Sequence, residues 1–189
     1  MVIQVFKIIL ISTGICEQKK LNIACYSYFP LYKDKPVISE NLKICLISIE
    51  SINDLFRETI IQIRNKNTDQ VIHTVKHYFI YSWVDMEAIE LKKENLIMNL
   101  LKIMSKNLKN NPSQPIVVHC SAGVGRTGTL ISLYHLYQQY LDAKANNEIY
   151  FFSVYDTILR LRHMRIYMVF TEAQYDFIHY LTYKFDELN

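Results

Sequence analysis

Glycine is scarce in this chain, four residues in 189, and three of the four (Gly123, Gly125 and Gly128) fall inside residues 117–128. Proline is equally rare, and no repeat, low-complexity tract or Pro/Gly-rich linker divides the chain. A single domain over 1–189 is therefore expected, long enough to bury a sizeable core with half of its residues apolar. The four cysteines, Cys16, Cys25, Cys45 and Cys120, lack Cys-x-x-Cys spacing, which argues against a zinc site or a disulfide framework and suits a reducing, cytoplasmic compartment. No excess of one charge is present: 21 Lys+Arg against 18 Asp+Glu leaves +3, too balanced for a nucleic-acid partner. Long apolar runs are missing too. Val2 to Ile15 is short and carries Lys7, so no membrane span is expected. A basic residue ahead of Ile8–Ile11 leaves a signal peptide as the alternative to the preferred buried strand.

What the chain does contain is the run Val117-Val118-His119-Cys120-Ser121-Ala122-Gly123-Val124-Gly125-Arg126-Thr127-Gly128. Apolar residues ahead of it read as a strand and Thr129 to Tyr140 as a helix, so the loop ends at a helix N-terminus. Glycine permits tight turning, and amides of Ser121, Ala122, Gly123, Val124, Gly125 and Arg126 can converge on one centre that favours an anion. The same dipoles and the Arg126 guanidinium would hold Cys120 as a thiolate, a nucleophile at neutral pH. Arg126 can grip two phosphoryl oxygens at once, and Thr127 sets a hydroxyl where it can assist the sulfur as leaving group. The competing interpretation is a buried cysteine on a nucleotide-binding type of turn.

Elsewhere, apolar β-branched runs predict strands over Lys7–Ser12, Lys43–Glu50, Glu58–Arg64, Val71–Tyr81 and Ile116–His119. Helical spacing of Leu96, Ile97, Leu100, Leu101 and Met104 predicts a helix within Glu90–Leu108, with further helices over Thr127–Ala143, Phe152–His163 and Thr171–Phe185. Early strands followed by late helices indicate an α/β fold, a twisted and mostly mixed sheet flanked by helices. His73 and His77 fall in a strand without a carboxylate at metal spacing, and the 14 tyrosines are scattered.

The 119–128 run closely resembles the signature loop of the protein tyrosine phosphatases. Cys25-Tyr26-Ser27-Tyr28-Phe29-Pro30 resembles the Lys-Cys-x-x-Tyr-Trp-Pro stretch of the tyrosine-specific members, Trp83-Val84-Asp85 their mobile Trp-Pro-Asp loop, and Leu161 to Phe177 their late Arg-x-x-Arg and glutamine-loop segment. The resemblance covers about residues 1–185. It implies a phosphatase-like fold, phosphotyrosine-containing proteins as partners, a cysteinyl-phosphate intermediate, and no metal or organic cofactor. It also implies an N-terminally shortened member, lacking the loop whose Tyr deepens the phosphotyrosine slot.

Displacing a tyrosyl phosphate by a thiolate requires an acid for the departing phenolate, which then serves as base toward water. Asp85 is the candidate, with a helix N-cap as its alternative role. Trp83 would anchor the hinge, His119 would hold the loop through hydrogen bonds, and Glu17 would orient Arg126 by resemblance. Several positions depart from the family pattern: Ala24 for Lys, Val84 for Pro, Glu87 for Gly, Ile89 for the second Pro, Tyr167 for a small residue, and Phe170 for the glutamine that positions water. Gln174 matches the later glutamine and is assigned to substrate binding; Phe170 and Tyr167 could equally be core residues. Three functional readings follow: a protein tyrosine phosphatase, an impaired module that captures phosphotyrosine proteins, and a phosphoinositide or RNA 5′-phosphate phosphatase. The uncharged Ser121, Ala122 and Val124 argue against the third. Oligomeric state is left open.

Overall fold

A computed structural model describes residues 9–13, 28–110, 112–113 and 115–189. Cys16, Glu17, Ala24 and Cys25 lie outside the described residues. The chain divides into two compact units, residues 1–82 with 111–121 and residues 83–110 with 122–189.

The first unit is a six-stranded mixed sheet: β1 (Ile9–Thr13), β2 (Val37–Ser39), β3 (Leu42–Ile52), β4 (Phe56–Asn65), β5 (Val71–Ile80) and β6 (Val117–His119), in the order β2-β3-β4-β5-β1-β6. The β2 to β5 portion is antiparallel, and β1 runs parallel to both β5 and β6. The apolar run near the start of the chain is thus hydrogen-bonded between two strands through Ile9–Thr13. β3 and β4 are longer than expected because ladder pairing continues past two register shifts to take in polar Ser51 and Arg57. Strand β2, too short to show a period, was not anticipated. The β3–β4 turn is built by Asn53, whose Oδ1 accepts the amides of Leu55 and Phe56 at 2.9 Å each. Leu46, Phe56, Ile61, Val75, Tyr78 and Ile80 are buried along the sheet, with Phe29.

The second unit is helical: α1 (Glu94–Asn110), entered through a 3-10 turn at Leu91–Lys93, α2 (Gly125–Ala145), α3 (Val154–Met164), α4 (Glu172–Tyr183) and α5 (Phe185–Leu188). Helix α2 packs against α1, α3 and α4. The anticipated face of α1 is the buried one, through Ile97, Leu100, Leu101 and Met104. Ser153 caps α3, its side chain accepting the amide of Asp156, so that helix begins two residues later than expected. The expected last helix is two, broken at Lys184.

Candidate active site

Within the sheet unit, β6 delivers His119 and Cys120 at its C-terminal end. Cys120 is buried at 7% exposure. His119 Nδ1 lies 3.1 Å from the Cys120 carbonyl oxygen, and its Nε2 lies 2.5 Å from the Tyr28 hydroxyl. A carbonyl only accepts, so Nδ1 is assigned the proton and Nε2 takes the hydroxyl hydrogen of Tyr28. The imidazole is thereby pinned on both sides, and its protonated nitrogen is spent on main chain. Sequence reasoning assigned Tyr28 no role: its partner lies 91 residues away, so no local pattern could reveal the pairing.

His77 also belongs to this unit. Fully buried on β5, 4.2 Å from the Phe29 ring, it is driven down to about 3 by lost hydration first and then by the Arg57 charge. It is a neutral core residue at neutral pH. Among the described residues no cluster of three or more His, Cys, Asp or Glu is placed to hold a metal ion.

Within the helical unit, the loop residues Ala122–Val124 lead into α2. Val124 occupies the N-cap without a side-chain acceptor, and the first turn carries no acidic residue, so the positive end of the helix dipole is not offset locally. The three motif glycines serve different ends, all set by the 165–174 segment. Gly123 adopts φ +72° and lies under Arg165, whose Nη2 donates to the Ala122 carbonyl at 3.0 Å. A Cβ at Gly125 would stand 3.1 Å from the Gln174 amide, and one at Gly128 only 2.4 Å from the Val169 backbone nitrogen. Turn geometry, the reason the sequence suggested, applies to Gly123; close approach explains Gly125 and Gly128.

Arg126 is 5% exposed. Its Nη2 meets the Asp85 carboxylate at 2.9 Å and its Nη1 donates to the Trp83 carbonyl at 3.1 Å, while Nε is buried without a partner. Trp83 is itself buried, its indole N–H donating to the Glu87 carbonyl at 2.8 Å. Asp85 stands in a turn with its side chain 71% exposed, next to Met86 at φ +68°. Asp85 caps no helix: the following 3-10 turn takes Glu90 as its N-cap, which removes that alternative. Thr127 is buried on the first turn of α2.

Gln174 is 1% exposed and largely committed. With Thr171 it forms a capping box at the start of α4, and its Oε1 also accepts the Phe170 amide at 3.0 Å. Only its amide nitrogen remains directed toward Gly125 and the Glu87 carbonyl. Phe170 and Tyr167 are not core residues, as the alternative had it. They are 50% and 62% exposed, stack edge to face at 6.2 Å, and with Arg162, Ile166 and Val169 line a groove of about 370 Å³. Arg162 braces this segment through the Met168 and Val169 carbonyls. The roles of Arg162 and Arg165 escaped sequence reasoning because their partners are main-chain oxygens, which no residue pattern encodes.

A mixed sheet with a cysteine directly after its last strand, and a helix with a buried arginine in its first turn, make this an α/β protein. The comparisons then narrow the class. The chain belongs to the protein-tyrosine phosphatase family, whose profile matches residues 1–184. It is 32% identical over 161 residues to Tyrosine-protein phosphatase 1 of Saccharomyces cerevisiae, covering 78% of this chain and 46% of that protein. It is 29% identical over 175 residues to the human Tyrosine-protein phosphatase non-receptor type 9, covering 86% of this chain and 28% of the relative. The chain thus spans less than half the length of these relatives. Its fold is shared with the catalytic domain of human protein tyrosine phosphatase non-receptor type 18, at TM-score 0.74 and 24% identity over 94% of this chain and 59% of that one. A structure of the same phosphatase with a HER2 phospho-peptide matches at TM-score 0.77 and 23% identity, over 95% and 58%. Among the described residues no helix is long and apolar enough to cross a membrane.

Proposed function

We propose that residues 1–189 act as one protein tyrosine phosphatase domain working through a cysteinyl-phosphate. The Cys120 thiolate attacks phosphorus of a phosphotyrosyl side chain, the bond from phosphorus to the phenolic oxygen breaks, and Asp85 gives that oxygen its proton. The loop amides from Ser121 to Arg126 and the Arg126 guanidinium carry the charge on the non-bridging oxygens. Water deprotonated by Asp85 then attacks the thiophosphate, releasing inorganic phosphate and restoring the thiolate, with the Thr127 hydroxyl stabilising the departing sulfur. Trp83 and His119 position the arginine and the loop, and Glu17 is assigned to Arg126 by resemblance. The observation that carries this reading is the buried Arg126 guanidinium at the head of α2, bonded to Trp83 and Asp85, in a chain whose family and relatives are tyrosine-protein phosphatases. Phosphotyrosine proteins are the proposed partners, and the cytoplasm, which keeps a thiolate reduced, is the proposed location.

One arrangement favours a second reading, a phosphotyrosine-capturing module of low turnover. Phe170 offers water no hydrogen bond, and the Gln174 carbonyl oxygen is already spent on Phe170 and Thr171 amides. The test is hydrolysis of an aryl phosphate by wild type and Cys120→Ser, with vanadate as inhibitor. The enzyme reading expects a loss of roughly 10³-fold or more in the variant; equal rates in the two proteins overturn it. A burst of phenol followed by slow turnover identifies dephosphorylation of the thiophosphate as the slow step, and binding of phosphotyrosyl peptides without any burst supports the capture module.

A further inference from the structure

We infer that Asp85 is an internal occupant of the phosphate clamp, so that substrate must exchange with it before chemistry begins. This rests on the assignment of Arg126 to phosphate. Its guanidinium is nearly sealed from solvent and presents Nη1 and Nη2 as forked donors, and both are engaged by the same short loop, one by the Trp83 carbonyl and the other by the Asp85 carboxylate. A carboxylate oxygen at 2.9 Å from Nη2 has the charge and geometry of a phosphoryl oxygen.

The two contacts differ in how easily they are given up. Trp83 is buried and tied back to the Glu87 carbonyl, so its own carbonyl is a fixed part of the arginine's seat. Asp85 is 71% exposed, its carboxylate resting on Arg126 alone among the described residues, next to Met86 in a left-handed conformation that a residue with a Cβ enters at a cost of about 1 kcal/mol or more. A dianionic phosphoryl group carries more charge than a carboxylate and displaces the weaker, solvated partner. Exchange then does two things at once: it opens Nη2 to the substrate and frees the Asp85 carboxylate, still tethered two residues from Trp83, to take up from water the proton that it passes to the leaving oxygen. An occupied clamp lowers apparent anion affinity by the ratio of latched to unlatched protein. For an exposed carboxylate on a buried guanidinium a ratio of about five to ten follows.

Calorimetric titration of the full chain with tungstate, a non-reacting tetrahedral oxyanion, tests the exchange. Asp85→Asn is expected to bind tungstate about five- to tenfold more tightly than wild type. Glu87→Gln, which removes an exposed charge from the same loop without touching Arg126, is expected to change affinity less than about twofold. Amide hydrogen exchange over Trp83–Ala88 is expected to be several-fold faster in Asp85→Asn without ligand. Equal tungstate affinity in wild type and Asp85→Asn, an equal gain in Glu87→Gln, or unchanged exchange overturns the latch while leaving the phosphatase reading intact. Failure of every variant to bind tungstate removes both.

Discussion

Gly128→Ala sets two effects of opposite sign against each other inside the first turn of α2. Helix propensity favours alanine by about 1 kcal/mol. Close approach opposes it. The new Cβ would lie 2.4 Å from the Val169 nitrogen, 3.1 Å from the Met168 carbonyl carbon and 3.2 Å from the Met168 Cα, all backbone atoms that no rotamer change can withdraw. Restoring ordinary contact requires a shift of about 1 Å. Val169 cannot yield cheaply: it is 2% exposed at φ +60°, its amide donates to the Val124 carbonyl at 3.1 Å, and its own carbonyl accepts from Arg162 at 2.8 Å. Overpacking costs roughly 1–3 kcal/mol, and each loosened buried hydrogen bond adds about 1 kcal/mol. The net expectation is a destabilisation of about 2–3 kcal/mol after the propensity gain is subtracted. Because Val124 and Gln174 are tied to the same segment, tungstate affinity should fall several-fold as well. Urea unfolding of the two proteins, with the slope checked for constancy, reads the first quantity. A variant as stable as wild type, or more so, refutes the close-approach account and leaves propensity as the only effect of this glycine.

His77, held near 3 against an ordinary 6.5, refuses a proton that the unfolded chain accepts, so its contribution to stability is complete above pH 6.5 and is lost as pH falls toward 3. Between pH 7 and 4 this amounts to about 3 kcal/mol, and urea midpoints should fall more steeply for wild type than for His77→Gln; parallel curves would exclude it. Thr171→Ala, which deletes half of the α4 capping box, should cost about 1 kcal/mol. Gln174→Ala should cost about 2 kcal/mol or more, because it leaves the Phe170 and Thr171 amides without their acceptor. Equal losses in the two variants would show that the glutamine's structural share is overstated.

The segment from Cys120 to Thr127 stands out in the sequence because cysteine, glycines, arginine and threonine are local in the chain, and the proposed chemistry calls for those types at that spacing. The strands β3, β4 and β5 and the helices α1 to α4 were legible for a similar reason, since periodicity of apolar side chains is a local property. What escaped was of two kinds: contacts with partners distant in sequence, Tyr28 on His119 and Arg165 on the Ala122 carbonyl, and local features without a periodic signal, the three-residue edge strand β2 and Gln174 absorbed into a helix cap with Thr171. Two ambiguities were resolved in the same way. Phe170 and Tyr167 face solvent instead of core, and Asp85 meets a guanidinium instead of a helix terminus.

The order of residues alone decided which chemistry is available here, because reactive groups and turn-forming glycines are properties of individual side chains. Folding decided which hydrogen bonds those groups spend and which they keep: whether an amide caps a helix, whether a carboxylate rests on an arginine, and whether a glycine is needed for its φ or for the backbone that passes beside it. Such choices depend on distances between segments far apart in the chain, and those distances exist only once the chain has packed.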